Sequence, residues 1–268
     1  MKKLSVLLFP ILLFFGCSEI PPNLGGGPIT PGPGIIQKKV LIEEFTGVRC
    51  VNCPAGSEAI ENLIDIHGDN LIAVSIHATN FATPYTNSEH DFEVEDGVSI
   101  LDFVGLPQGF PTAVVDRKLF DGELELQLAR SKWAGLIEQE LQEEAIASLE
   151  LKAELSNSGT MNIETNIAFV NPDPVEQYKL TIIITEDNIV DPQETPEGKQ
   201  DDYVHKHVLR DIITPFSGQD IIGTDPAVIE FNDYIIPDGW NTAELNVIAV
   251  IHNSVDNKEV VQVEQFKF

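Results

Sequence analysis

Cys50-Val51-Asn52-Cys53-Pro54, entered from the apolar run Val40–Thr46, is the stretch whose reading decides the fold. The run is rich in Val, Leu and Ile and reads, over residues 38–46, as a buried strand. Beyond the cysteines, Pro54–His67 reads as a helix. Pro54 suits a first turn, Ala59, Ile60, Leu63 and Ile64 recur on one face, and Gly68 supplies a stop. Leu71–His77 is a second apolar strand, so the cysteine pair sits at the first strand-to-helix turn of a βαβ unit. A helix start aims free N–H groups and the positive end of its dipole at the first sulfur. Both favour thiolate over thiol, and the thiolate is the reactive form.

Downstream, residues 78–104 are polar and irregular, with a helix expected near their end at 98–104. They read either as an insertion lying over the cysteines or as a solvated excursion without a role. Gly105-Leu106-Pro107-Gln108-Gly109-Phe110-Pro111-Thr112 then leads into a short strand at 113–116 and a turn at 117–122. A helix is expected over 123–145, with Leu126, Ala129, Trp133, Leu136, Ile137 and Leu141 on its apolar side and glutamates on the other. From about residue 146 the period changes from 3.6 to 2. Segments 148–155, 162–170, 179–186, 227–231, 244–252 and 260–268 read as strands, separated by turn signals at 157–159, 171–174 and 237–239. Repeated short strands without helices between them argue an all-β sandwich of immunoglobulin-like type.

Upstream, Lys2 and Lys3 precede an apolar run, 4–15, that is short for a bilayer span and ends in Phe14-Phe15-Gly16-Cys17-Ser18. This resembles the lipobox of bacterial lipoproteins, which implies a signal peptide at 1–16 and lipidation at Cys17. An ordinary signal peptide with an incidental cysteine is the alternative. Ser18 after the cysteine points to the cell outer membrane. Residues 17–37 alternate Pro and Gly and read as a tether. Of the 3 cysteines, lipid would occupy Cys17, so Cys50 and Cys53 have only each other, in a compartment that tolerates disulfides. The formal charge is −27, and cleavage of Lys2 and Lys3 takes it to −29. Such a surface repels phosphate backbones and excludes nucleic acid as a natural partner.

Strand, CxxC at a helix start, second strand, Gly-Phe-Pro-Thr before a third strand and a closing helix together resemble the thioredoxin fold. The resemblance implies a thioredoxin-like domain at 38–146 with the 78–104 insertion, followed by the sandwich at 147–268. It also implies roles. Cys50 would be an exposed attacking thiolate and Cys53 the resolving thiol. Glu44, six residues before Cys50, would relay a proton to Cys53. Pro111 would be cis and, with Phe110 and Thr112, would dock the partner's backbone. Arg49 stands where the family carries tryptophan, and its charge is placed to favour the thiolate. The intervening Val51-Asn52 departs from the family, which leaves the direction of the reaction open.

Lipobox, tether, Glu-Glu-Phe-Thr-Gly-Val-Arg-Cys-Val-Asn-Cys-Pro and a C-terminal sandwich together resemble the Omp28-related outer-membrane lipoproteins. The resemblance implies place and fold more than reaction. Two functions stay open. One is thiol–disulfide exchange on exported proteins, with the dithiol in place of any cofactor. The other is a non-catalytic binding or scaffolding lipoprotein whose CxxC is a structural disulfide. An enzyme calls for an exposed Cys50, a scaffold for a buried bond. Zinc is not expected, because one CxxC supplies two ligands and His77 and His90 lack diagnostic spacing. His205 and His207 read as surface histidines. Asp187, Asp191, Glu194, Glu197, Asp201 and Asp202 read as a solvated loop without calcium-site spacing.

Overall fold

Val40–Thr46 (β1) is buried along its whole length, and the period of two divides its side chains between two layers. Leu41 and Phe45 face one core together with Ile72, Val74 and Ile76 of Leu71–His77 (β2). Val40 and Ile42 face the other, with Leu71, Ala73, and Ile60 and Leu63 of Pro54–His67 (α1). Glu44, Thr46, Ser75 and His77 are therefore on the α1 side, at the C-terminal ends of their strands. The computed structural model describes residues 36–170, 172, 177–222, 226–254 and 258–268. Cys17 and the segments expected to be signal peptide and, for the most part, tether lie outside the described residues, as does most of the turn signal at 171–174.

β1 and β2 pair in parallel, and Thr112–Val115 (β3) pairs antiparallel with β1. The insertion ends in Glu95–Val104 (α2), which caps one face. Arg130–Glu140 (α3) lies on the other, with Trp133 and Ile137 fully buried. This helix is shorter than the 123–145 expected. Leu128 exchanges backbone hydrogen bonds with Ala113 of β3, and its carbonyl also accepts from Trp133 Nε1 at 2.9 Å. Its backbone is thereby tied to a sheet edge, and the helix starts only beyond it.

The remaining strands are Ala147–Leu155 (β4), Thr160–Phe169 (β5), Tyr178–Glu186 (β6), Ile189–Thr195 (β7), Gly198–His205 (β8), Val208–Ile212 (β9), Gln219–Asp220 (β10), Ala227–Ile235 (β11), Leu245–Asn253 (β12) and Val260–Lys267 (β13). They do not close on themselves as a separate sandwich. The largest sheet runs β13-β12-β6-β9-β2-β1-β3, with β10 beside β6. The join is a parallel bridge between Ser75 and Val208. The three-stranded sheet β11-β5-β4 packs its Met161, Ile163 and Ile167 on Ile182, Ile184, Val247 and Ala249 of β6 and β12. Two layers do face each other, as alternation predicts, but one of them continues the β1–β3 sheet. The change of period at residue 146 coincides with no break, and the described residues form one compact unit.

Where a solvated loop was expected, Ile189–Thr195 and Gly198–His205 form a hairpin. β7 and β8 pair from Ile189↔His205 to Thr195↔Gly198. The buried side of β7 carries Asp191 and Gln193, so the alternation lacks its usual apolar signal.

Candidate functional site

Cys50 and Cys53 are joined as a disulfide with Cα atoms 5.3 Å apart. The turn that presents them is closed by Cys50 N donating to Gly47 O at 3.0 Å and Cys53 N to Cys50 O at 3.2 Å. α1 follows at once, its first-turn Gly56 and Ser57 N–H groups donating to the Cys53 carbonyl at 2.8 and 3.1 Å. Pro54 at the first helical position needs no such bond.

Two segments cover this turn. The first is the start of the insertion, which packs on it and is not a free excursion. A side chain at Gly47 would meet the Phe81 carbonyl at 2.5 Å, and Arg49 N donates to that same oxygen at 2.9 Å. Arg49 gives its Nε and Nη2 to the carbonyls of Thr83 and Pro84 at 2.8 and 2.6 Å, with its guanidinium 3.7 Å from the Tyr85 ring centre. Its charge holds the insertion down. The second cover is β7. Glu194 N donates to Val48 O at 2.7 Å, while Gln193 Nε2 lies 3.2 Å from Gly47 O and 3.1 Å from Cys50 O. Tyr85 ties the two covers together through a 2.6 Å hydrogen bond to Glu194. In consequence Cys50 is 3% and Cys53 1% exposed, with Val51 at the open tip of the turn. The exposed Cys50 expected from the resemblance is not what the structure has.

The Phe110–Pro111 peptide is cis, as expected. Phe110 is half-buried with its ring 5.2 Å from that of Phe81. The Thr112 hydroxyl donates to Leu128 O at 3.1 Å, so it braces the loop from behind. Pro111 meets α1 at Gly56: a Cβ there would lie 2.7 Å from Pro111 Cβ and 2.4 Å from Glu44 Oε1. The proline and the acid thus converge on the first turn after Cys53, and only glycine leaves room for both.

Glu44 is wholly buried. Oε2 lies 3.4 Å from Ser57 Oγ and 3.5 Å from Ser75 Oγ, and Oε1 has no hydrogen-bond partner among the described residues. Burial pushes its carboxyl up to about 8, against the weaker pull of Ser57, His207 and Ser75. A cavity of about 330 Å³ opens beside it, floored by Glu44, Ser75 and His77 and walled by α1 and by Tyr203–His207.

His205 and His207, expected on the surface, lie in that wall, His205 buried and His207 half-buried. His205 is 4% exposed and is held mostly neutral, because burial lowers it to about 4. His77 is likewise pushed well down by burial. The His77, His90 and His205 rings surround Phe92, with centroids within 5.8 Å of it. Among the described residues no group of three or more His, Cys, Asp or Glu is arranged to hold a metal. Reading the sequence missed Gln193, Ser57, Ser75 and Tyr203 as site residues. Only the His-x-His spacing was there to signal the wall, and polarity on a buried face disguised it.

Comparison with curated proteins gives no match. Among solved structures, HBP35 of Porphyromonas gingivalis is 21% identical with a TM-score of 0.68, over 87% of this chain and 76% of its own. A protein of Agrobacterium tumefaciens is 12% identical with a TM-score of 0.53, over 86% of this chain and 95% of its own. A domain of the outer membrane lipoprotein Omp28 from Porphyromonas gingivalis covers 46% of this chain and 88% of its own, at 12% identity and a TM-score of 0.33. The first two likenesses concern the fold. The family described as Outer membrane protein Omp28 matches residues 106–268, a span that holds Pro111 and the β7–β8 hairpin but begins after the cysteines. The chain belongs to the Omp28 outer membrane protein family.

Proposed function

We propose that this protein is a lipid-anchored outer-membrane protein whose thioredoxin-like part exchanges thiols and disulfides with exported proteins. Acylation of Cys17 would anchor the chain, and the β4–β13 region would serve as its immunoglobulin-like partner layer. The convergence of Glu44 and Pro111 on Gly56 carries the reading. A disulfide that merely fastens a turn needs neither a proline packed on the first turn of its helix nor a buried carboxyl kept protonated near neutral pH. In the oxidised chain that carboxyl would hold the proton that Cys53 gives up.

In the reducing direction, Cys50 thiolate attacks a partner disulfide, forming a Cys50–partner bond and releasing one partner thiolate. Glu44 carboxylate then accepts the Cys53 proton. Cys53 thiolate attacks Cys50 Sγ, closes the Cys50–Cys53 bond and expels the second partner thiolate, which is protonated from water. The partner gains the two electrons that the dithiol loses. The dithiol itself is the redox group, and an external thiol must re-reduce it.

One observation favours a second reading. Cys50 is 3% exposed and its carbonyl is clamped by Gln193, as in a non-catalytic scaffold with a locked disulfide. Trapping decides between them. In native membranes Cys53→Ala should accumulate disulfide-linked adducts that dithiothreitol releases and that Cys50→Ser, Cys53→Ala lacks. If Cys53→Ala forms no adduct beyond that of the double variant, the scaffold reading replaces exchange.

A further inference from the structure

We propose that His207 is a positioning residue, which presents a fixed positive charge to the carboxyl beneath the disulfide. The inference rests on the exchange reading and names what tunes its acid. His207 comes from outside the βαβ unit, at the start of β9. Its backbone carbonyl accepts from Ser75 N at 2.7 Å, and the Ser75 hydroxyl lies 3.5 Å from Glu44 Oε2. One residue of β2 therefore adjoins both partners, at the bridge that joins the sheet.

The imidazole is clamped between carboxylates from two other elements. Nε2 lies 2.8 Å from Glu61 Oε1 on α1, and Nδ1 lies 3.2 Å from Asp187 Oδ1 in the β6–β7 turn. Asp187 also accepts from His207 N at 2.6 Å and from Asn246 Nδ2 at 2.9 Å, so the clamp is itself held. Burial opposes charge on the ring, but the two acids outweigh it and push His207 up to about 9. Glu61, hydrogen-bonded to His207 and to Lys206, is drawn down to about 2.

Glu44 is also faced by Ser57 and Glu58 of α1, by Ser75 and His77 of β2, and by Tyr203, His205 and Lys206 of the hairpin side. Burial keeps His77 and His205 neutral and the Tyr203 hydroxyl protonated. Glu58 is at the exposed rim. Lys206 is paired with Glu61. His207, Lys206, Glu61 and Asp187 sum to zero, and of the four it is His207, in the lining of the same cavity as Glu44, whose charge favours Glu44 ionisation.

The test is a carbon-13 NMR titration of the Glu44 carboxyl in the oxidised full chain, with Glu44→Gln for assignment. In His207→Gln the Glu44 midpoint should rise by roughly half a pH unit or more. A second measurement needs no change at His207. Its ring resonances should show an inflection at the Glu44 midpoint, and that inflection should vanish in Glu44→Gln. An unmoved midpoint in a folded His207→Gln chain, or a ring blind to Glu44, overturns the inference. Both readings are taken at equilibrium without a partner. Failure here leaves exchange standing, and failure of trapping leaves this coupling standing.

Discussion

At the residue scale, Glu44 has the largest consequence. Its carboxyl titrates near 8 in the fold against 4.5 in the unfolded chain, because burial disfavours the charged form. Below 4.5 both states hold the proton and Glu44 adds no pH dependence. Between 4.5 and 8 the unfolded chain gives it up and the folded chain keeps it, so stability falls as pH rises and levels off above. At about 1.36 kcal/mol per unit, this loss amounts to a few kcal/mol. Glu44→Gln should flatten the fall. Urea denaturation at pH 5 and pH 9 should show a smaller difference for the variant than for the native chain. An equal difference would mean that Glu44 is not held protonated. The resemblance to the thioredoxin fold pointed to this acid, six residues before Cys50. Its surroundings were not legible in the sequence, because Ser57, Ser75 and His207 are brought to it from three elements and none is unusual in its own segment.

At the scale of elements, the β7–β8 hairpin decides how the disulfide is reached. Its contact with the cysteine turn rests on Glu194 N to Val48 O and on the Gln193 amide, which bridges Gly47 O and Cys50 O. Gln193→Ala removes the amide bridge and leaves the backbone bond. Reduction of the disulfide by a small phosphine should quicken roughly tenfold, the weight of one or two net hydrogen bonds. An unchanged rate would show that the hairpin does not control access. The sequence concealed this element. A strand is recognised by apolar alternation, and β7 buries Asp191, Gln193 and Thr195 instead, the first two on polar partners from distant segments and Thr195 on the hairpin turn. The βαβ unit was legible because β1 and β2 open on continuous apolar runs and α1 is apolar on one face. The closing helix came out shorter than its pattern, since the apolar spacing around Leu126 says nothing of the bond between Leu128 and Ala113.

At the scale of the molecule, the sheet is continuous from β13 to β3, and the β1–β3 layer shares its core with the later strands. Leu41, Phe45 and Ile72 pack with Ile183, Leu209, Ile248 and Val250. Shared cores of this kind unfold together. The chain has 2 tryptophans, one in each half: Trp133 in the helical layer and Trp240 beside the β4–β5–β11 layer. Fluorescence of Trp133→Phe and Trp240→Phe should report transitions that coincide with circular dichroism of the same variant. Separated transitions would mean two independently folding units. The periodicity pointed to two such units because it records local burial, whereas continuity across residue 146 comes from the Ser75–Val208 bridge and the core shared around it.

Whether the disulfide works as an exchange centre is tested most directly by how its reduction depends on denaturant. A bond reached by local displacement of the hairpin opens without global unfolding, whereas a locked one is reduced only through the unfolded chain. With a protein dithiol as reductant, the rate should stay flat in urea until the unfolding transition begins. A rate that rises with urea from zero, in parallel with the unfolded fraction, would contradict the account and leave Cys50–Cys53 as a fastening.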